Sequence, residues 1–295
     1  MTAFNFRQAF SRNIGWITQA EQDLLRGKTI AIAGLGGVGG SHLLTLTRLG
    51  IGAFHIADFD KFELANFNRQ IGATVSHLDQ PKTDVLADMA LDINPELSLK
   101  KFPHGVTEDN LSEFFTGVDL YVDALDFFAF DAREKVFAYC AEHGIPAITA
   151  APLGMGTAVL NFMPGQMTFE QYFQLEGQSE TDKILHFLLG LSPAMLQRGY
   201  LVDPGAVDFI NHKGPSTPMA CELCAGVAAT QALKILLKRG KVLAAPWGLH
   251  FDAYTNKLAK TWRPGGNRNL IQRLGIALAR RQFMALSHSN NSGSL

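Results

Sequence analysis

No stretch of this sequence approaches the roughly 18 uninterrupted apolar residues that a membrane-spanning helix needs. The opening residues, MTAFNFRQAFSRNIGW, carry Arg and Asn through their apolar positions and offer neither a secretory apolar region nor a cleavage site. Cysteine is scarce: Cys140, Cys221 and Cys224 are an odd number without disulfide-like spacing, which fits a reducing compartment. Neither sign of charge dominates. With 26 basic against 27 acidic side chains the formal charge is −1, so no global field draws the chain to nucleic acid or anionic lipid. No internal repeat is visible. These absences lead to the expectation of a globular, cytoplasmic protein with neither membrane nor nucleic-acid partner, whose ligands must be read from local sites.

What is present is core material. At 295 residues and 47% apolar, the chain can build one large domain, or one domain carrying a sizeable insertion. Thr29 to Ala33 (TIAIA) is an apolar run of the kind a buried parallel strand shows, and a glycine-rich turn follows it directly. Ser41 to Leu49 has helical spacing, and Ala53 to Ala57 reads as a second strand ending at Asp58. The alternation continues with a helix at Thr83 to Leu91, strands at Leu97 to Phe102 and Leu120 to Ala124, a helix at Asp131 to His143 and a strand at Ile145 to Ala150. Such alternation predicts a Rossmann-like α/β fold, a doubly wound and mostly parallel sheet covered on both faces.

Beyond Pro164 the pattern changes. Thr168 to Asp208 is aromatic, leucine-rich and helically spaced, and reads as a helical insertion. Cys224 to Lys238 is a helix with a small-residue face suited to close packing. From Ala253 onward there are seven Lys or Arg and no acid, then a Ser/Asn/Gly tail expected to be disordered. That basic run suits either a phosphate-binding surface, as on an RNA-modifying enzyme, or a solvated amphipathic face.

Gly34-Leu35-Gly36-Gly37-Val38-Gly39 lies between a predicted strand and a predicted helix. In that setting glycines let the backbone approach phosphates, and the helix N-terminus favours their charge. Asp58 stands 19 positions after Gly39, where a carboxylate can accept hydrogen bonds from ribose hydroxyls. An NAD-dependent oxidoreductase would need no more than this. Here, however, Asp58-Phe59-Asp60 leads into Asn66-Phe67-Asn68-Arg69-Gln70, and Lys82 follows. A triphosphate presents about four negative charges and calls for cationic donors beyond the glycine turn. Arg69 can grip phosphate oxygens as a fork, while Lys82 supplies a point charge. Taken singly, both are also what a solvated surface carries.

In order and spacing, Gly34 to Gly39, Asp58-x-Asp60, Asn66 to Gln70, Lys82 and Asp123-Ala124-Leu125-Asp126 resemble the ATP-site motifs of the ThiF/MoeB/HesA adenylating enzymes and the ubiquitin-activating enzymes. The resemblance covers about residues 10 to 160, with a weaker match at 216 to 240. It implies that Asp58 holds the ribose, that Asn66, Arg69 and Lys82 hold the phosphates, that Asp60 belongs to the same cofactor-binding set, and that Asp126 binds Mg2+. Asp126 follows a strand at the carboxyl edge of the sheet, where ligands of such folds lie, although it could instead cap the next helix. The family usually has Asn where Phe127 stands, whereas Asp131-Ala132-Arg133 resembles the family's helix start. Ser11-Arg12-Asn13-Ile14 resembles a short motif whose arginine reaches into a partner subunit's site, which implies a homodimer; an unpaired surface arginine is the alternative. The implied reaction is ATP-dependent adenylation of a carboxylate, the C-terminal glycine of a ubiquitin-like or sulfur-carrier protein or a small carboxylate. A catalytically silent nucleotide-binding scaffold is the rival reading.

Many relatives bind zinc through two Cys-x-x-Cys pairs, but only Cys221-Glu222-Leu223-Cys224 is present. Two thiolates do not complete zinc's four ligands, and His212 is a lone loop histidine, so no structural zinc is expected. Cys221 or Cys224 at a helix start could receive the acyl group as a thioester, or could simply pack. Cys140 reads as structural. The expected organisation is an N-terminal helical arm (1–27), a nucleotide-binding core (28–164), a helical insertion (165–215), the C-terminal part of the adenylation domain (216–262) and a basic, partly disordered tail (263–295).

Overall fold

A computed structural model describes residues 3–208 and 214–291, with side chains as far as Gln282. Helices α1 (Phe6–Ala9) and α2 (Gln19–Arg26) precede β1 (Thr29–Ala33), α3 (Gly39–Leu49), β2 (Ala53–Ala57), α4 (Lys82–Ile93) and β3 (Ser98–Phe102). They are followed by α5 (Leu111–Phe114), β4 (Leu120–Asp123), α6 (Phe130–Glu142), β5 (Ala147–Leu153) and β6 (Gly156–Phe162). The region read as a helical insertion contains α7 (Phe169–Phe173) and α8 (Glu180–Leu191). After it come α9 (Pro218–Leu236), β7 (Trp247–Asp252), β8 (Lys257–Trp262) and α10 (Leu270–Asn291). Ser292 to Leu295, the end of the tail expected to be disordered, lies outside the described residues.

The strands form one sheet in the order β3-β2-β1-β4-β5-β6-β7-β8. β1 to β5 pair in parallel, and β6, β7 and β8 continue antiparallel, so four of the seven pairings are parallel, as expected of a doubly wound α/β fold. Side chains alternate between faces. Ile30, Ile32, Phe54, Ile56 and Val122 enter one fully buried cluster with α3, α4 and α9, while Ala31, Ala33 and Tyr121 enter another with α6, α7 and α8. Truncating such a residue, Phe54 for example, costs about 3–5 kcal/mol.

α9 is long and apolar enough to cross a membrane by length and composition, with a mean hydropathy of 1.3, yet it packs against α3, β5 and β6 as a core helix. It begins at Pro218, six residues before the helical spacing is legible, because proline suits the first helical position after Thr217. Cys221 therefore lies inside the first turns of this helix rather than before them.

Candidate nucleotide site

The chain runs outward from β1 through β2 to β3 and then returns to β4, so β1 and β4 bracket the switch point at which open α/β sheets bind ligands. The glycine turn leaves β1 there, and the loop carrying Asp126 leaves β4. Gly34 has φ +87°, and a Cβ at that position would collide with the Ala124 carbonyl; one on Gly39 would collide with the Gly34 carbonyl. Packing alone demands these two glycines. Gly36 and Gly37 are different. A Cβ at Gly36 would find nothing nearer than Gln70 Nε2 at 3.7 Å, and one at Gly37 would meet Cys221 Sγ at 3.4 Å and Arg69 Nε at 3.6 Å. What their bare backbone leaves open is the approach of an outside group.

Asp58 is held against this turn, accepting from the Leu35 amide at 2.6 Å and the Asp60 amide at 2.8 Å. Burial raises its pKa, against the opposing charge of Lys82. Lys82 occupies the first position of α4 and donates to Asp60 Oδ2 at 2.8 Å. Arg69 donates to the Ala65 carbonyl at 3.0 Å and to Asn68 Oδ1 at 2.9 Å, which fixes its side chain over Gly37. The carboxamide oxygen of Asn66 accepts from the Glu63 amide at 3.0 Å. Asn68 Nδ2 donates to the Ser216 carbonyl at 2.9 Å and so ties this loop to the segment leading into α9. Gln70 was not singled out by sequence reasoning. It is buried beside Gly36, and its Oε1 has no hydrogen-bond partner among the described residues. Its place directly after Arg69 was the available signal.

Asp126 is exposed on the loop after β4, and its Oδ1 accepts from the Phe128 amide at 3.0 Å. Helix α6 has Ala129 at its cap position and no side-chain cap, so Asp126 does not serve as that cap. Among the described residues no three His, Cys, Asp or Glu side chains converge as a ready-made metal site. A single carboxylate on a loop beside the glycine turn suits magnesium, which takes one or two carboxylates and completes its shell with phosphate oxygens and water. Behind the loop lies a buried ion pair that sequence reasoning missed: Arg133 Nε donates to Asp123 Oδ2 at 2.9 Å, and Thr149 Oγ1 donates to the same oxygen at 2.8 Å. Breaking such a buried pair costs about 3–5 kcal/mol.

The structure brings together the glycine turn, Asp58, Asp60, Arg69, Lys82 and Cys221, with the Ala124–Asp126 loop alongside. Arg12 does not join them. It is exposed in a short turn next to Asn13, whose Nδ2 donates to the Arg48 carbonyl at 3.2 Å, at the far end of α3 from the glycines. Cys221 and Cys224 are fully buried. Burial raises both thiols, Cys224 to about 12, while Ser216 and Arg69 only partly offset the effect on Cys221. His212 lies outside the described residues.

The model of the ThiF family matches residues 10–269, most of the chain. The chain belongs to the ThiF family. It is 33% identical over 142 residues to the tRNA threonylcarbamoyladenosine dehydratase of Bacillus subtilis strain 168, a match covering 48% of this chain and 55% of that protein. Identity to the sulfur carrier protein ThiS adenylyltransferase of Escherichia coli K12 is 31% over 143 residues, covering 48% of this chain and 56% of that one. The chain thus spans about half the length of the curated relatives it matches. In three dimensions it is similar to E. coli MccB crystallised with ATP, with a TM-score of 0.64, 19% identity and coverage of 88% of this chain and 71% of that one. The switch point between β1 and β4, with the glycine turn and the Asp126 loop beside it, is therefore set in a ThiF-family fold.

Proposed function

We propose that this ThiF-family chain activates a carboxylate with ATP: a substrate carboxylate oxygen attacks the α-phosphorus, pyrophosphate leaves and an acyl-adenylate remains. The observation that carries this reading is the pairing of two glycines that packing does not require, Gly36 and Gly37, with two cations, Arg69 over the turn and the buried Lys82 beside Asp60. Hydride transfer has no use for that pair of cations. The turn from Gly34 to Gly39 cradles phosphate, Asp58 holds the ribose, and Asp60 anchors Lys82. Asn66, Arg69 and Lys82 neutralise the triphosphate. Magnesium held through Asp126 would add to that neutralisation. Little covalent chemistry is asked of the protein, so positioning and charge do most of the work. Cys221 and Cys224 are assigned to packing, since both are fully buried within the core cluster around α9 and burial raises both thiols.

For the substrate, the ThiS adenylyltransferase and the ubiquitin-like modifier-activating relatives support the C-terminus of a sulfur-carrier or ubiquitin-like protein over a small carboxylate. A half-covered apolar sheet face supports a protein-sized partner: Trp247, Leu249 and Phe251 on β7 pair with Trp262, Lys260 and Leu258 on β8, and Leu258 and Trp262 are exposed. A homodimer supplying Arg12 in trans is supported by exposed apolar side chains in two places. Phe59, Leu64 and Val75 surround the phosphate-binding segment, and Ile14 and Trp16 neighbour Arg12. Exchange of labelled pyrophosphate into ATP, run across candidate carboxylates, tests the reading. ATP binding without exchange for any of them would favour the scaffold.

A second reading rests on the dehydratase relatives. A threonylcarbamoyl group carries a free carboxylate, and adenylating it would prepare a loss of water. The basic residues after Ala253 would then meet RNA. Exchange that depends on a modified tRNA rather than on a protein C-terminus would select it.

A further inference from the structure

Arg133 is the largest fully buried side chain among the described residues, and it does more than neutralise Asp123. Its Nη2 donates to the carbonyls of Leu125 at 2.7 Å and Asp126 at 2.9 Å, and its Nη1 donates to that of Phe127 at 3.3 Å. Three consecutive carbonyls thus turn inward onto one guanidinium, which leaves the Asp126 carboxylate on the outer side of the loop. Only a planar fork can satisfy such a set; a lysine ammonium cannot. The face of the guanidinium is covered by the Phe187 ring, 4.6 Å from Cζ to the centroid. Phe187 belongs to α8, inside the segment read from the sequence as a helical insertion, and its ring also packs on Phe127 at 5.3 Å and Phe130 at 5.7 Å.

We propose that Arg133 and Phe187 are positioning residues for Asp126, and that α8 is the back wall that sets how tightly the loop holds a magnesium–nucleotide complex. Phe127 is the contact through which the wall meets the loop. The idea rests on the adenylation reading, because it takes Asp126 to be the metal carboxylate. Displacing such a group by about 1 Å can cost a hundredfold in rate, so a softened wall reaches the site without touching the ligand.

The test is calorimetric binding of ATP to the full chain, with magnesium and with EDTA, for wild type, Phe187→Leu, Arg133→Lys, Asp126→Ala and the double variant Asp126→Ala/Phe187→Leu. Hydrogen exchange across residues 124–128 is followed in parallel. Phe187→Leu keeps an apolar side chain and serves if Arg133→Lys does not fold. We expect Phe187→Leu to weaken binding in magnesium about tenfold, leave binding in EDTA within twofold and speed exchange in the loop. In the Asp126→Ala background Phe187→Leu should have no further effect on binding. Equal weakening with and without magnesium, or unchanged binding by a folded Phe187→Leu, overturns the proposal. A wild type that binds ATP with magnesium, while Asp126→Ala binds just as well, also overturns it and leaves the nucleotide site standing. A wild type that binds no ATP brings down the adenylation reading and this proposal together.

Discussion

Lys82 Nζ donates to Asp60 Oδ2 at 2.8 Å from a side chain only 5% exposed, whereas that of Asp60 keeps 53% of its surface in water. The cation is inside and its counter-ion is at the rim. An unpaired ammonium so deep would be costly, and the Asp60 carboxylate offsets that cost and fixes where the side chain ends. Lys82→Ala should lower pyrophosphate exchange about 10²–10³-fold, the usual cost of removing a preorganised charge. Because half of Asp60 faces solvent, the lost pair itself contributes only about 1 kcal/mol to stability, so the melt should move by a few degrees. Exchange above a tenth of wild type in Lys82→Ala would remove lysine from the proposed chemistry.

The four glycines of the turn divide into two kinds, and substitution separates them. Gly36→Ala meets nothing nearer than 3.7 Å, so the fold should tolerate it while nucleotide binding weakens at least tenfold. Gly39→Ala drives a Cβ into the Gly34 carbonyl, and Gly34→Ala does the same against Ala124 from a left-handed backbone. Each should destabilise by about 1–3 kcal/mol or more. Thermal melts beside calorimetric ATP titrations check both. A folded Gly36→Ala protein with wild-type ATP affinity would contradict the assignment.

His42, on the first turns of α3, is wholly buried, with neither ring nitrogen hydrogen-bonded among the described residues. Burial lowers its pKa from 6.5 to about 4. Between those values the unfolded chain binds a proton that the folded one refuses, so stability is complete above about pH 6.5 and drains away as pH falls towards 4. The loss reaches roughly 3 kcal/mol. His42→Leu should flatten that limb of the stability curve and cost little at pH 8, as read by urea melts at a series of pH values. An unchanged acid limb would show that other groups dominate it.

How much of this was legible follows from what each element presents to its neighbours. β1, β2 and β4 are short apolar runs between glycine and helical signals, and the turn and Asp58 sit where that pattern leads. β6 escaped because it is buried along its whole length and shows no alternation, and β8 because it is an edge strand with three of its six residues polar. The start of α9 was hidden by a proline that reads equally as a turn. Arg133 was visible only as part of a family pattern, since its partners are backbone carbonyls, which no sequence displays. Gln70 and Lys82 look like surface residues in a linear reading and are buried by the way the loop from Asp58 to Pro81 folds over the turn.

Arg12 provides the sharpest test of assembly. Asn13 fastens its turn to Gln22 and to the Arg48 carbonyl at the C-terminal end of α3, and eleven helical residues, about 16 Å, separate that end from the glycine turn. Within its own subunit Arg12 thus sits at the opposite end of α3 from the phosphates it is proposed to stabilise, so a second copy is needed to bring it there. Arg12→Ala and Lys82→Ala should each be nearly inactive alone. Mixed in equal amounts and allowed to exchange subunits, they form heterodimers in which one of the two sites has both residues, so activity should return to about a quarter of wild type. The measurement is pyrophosphate exchange before and after subunit exchange. Absence of recovery, with heterodimers demonstrated by mass, would show that Arg12 does not act across the interface.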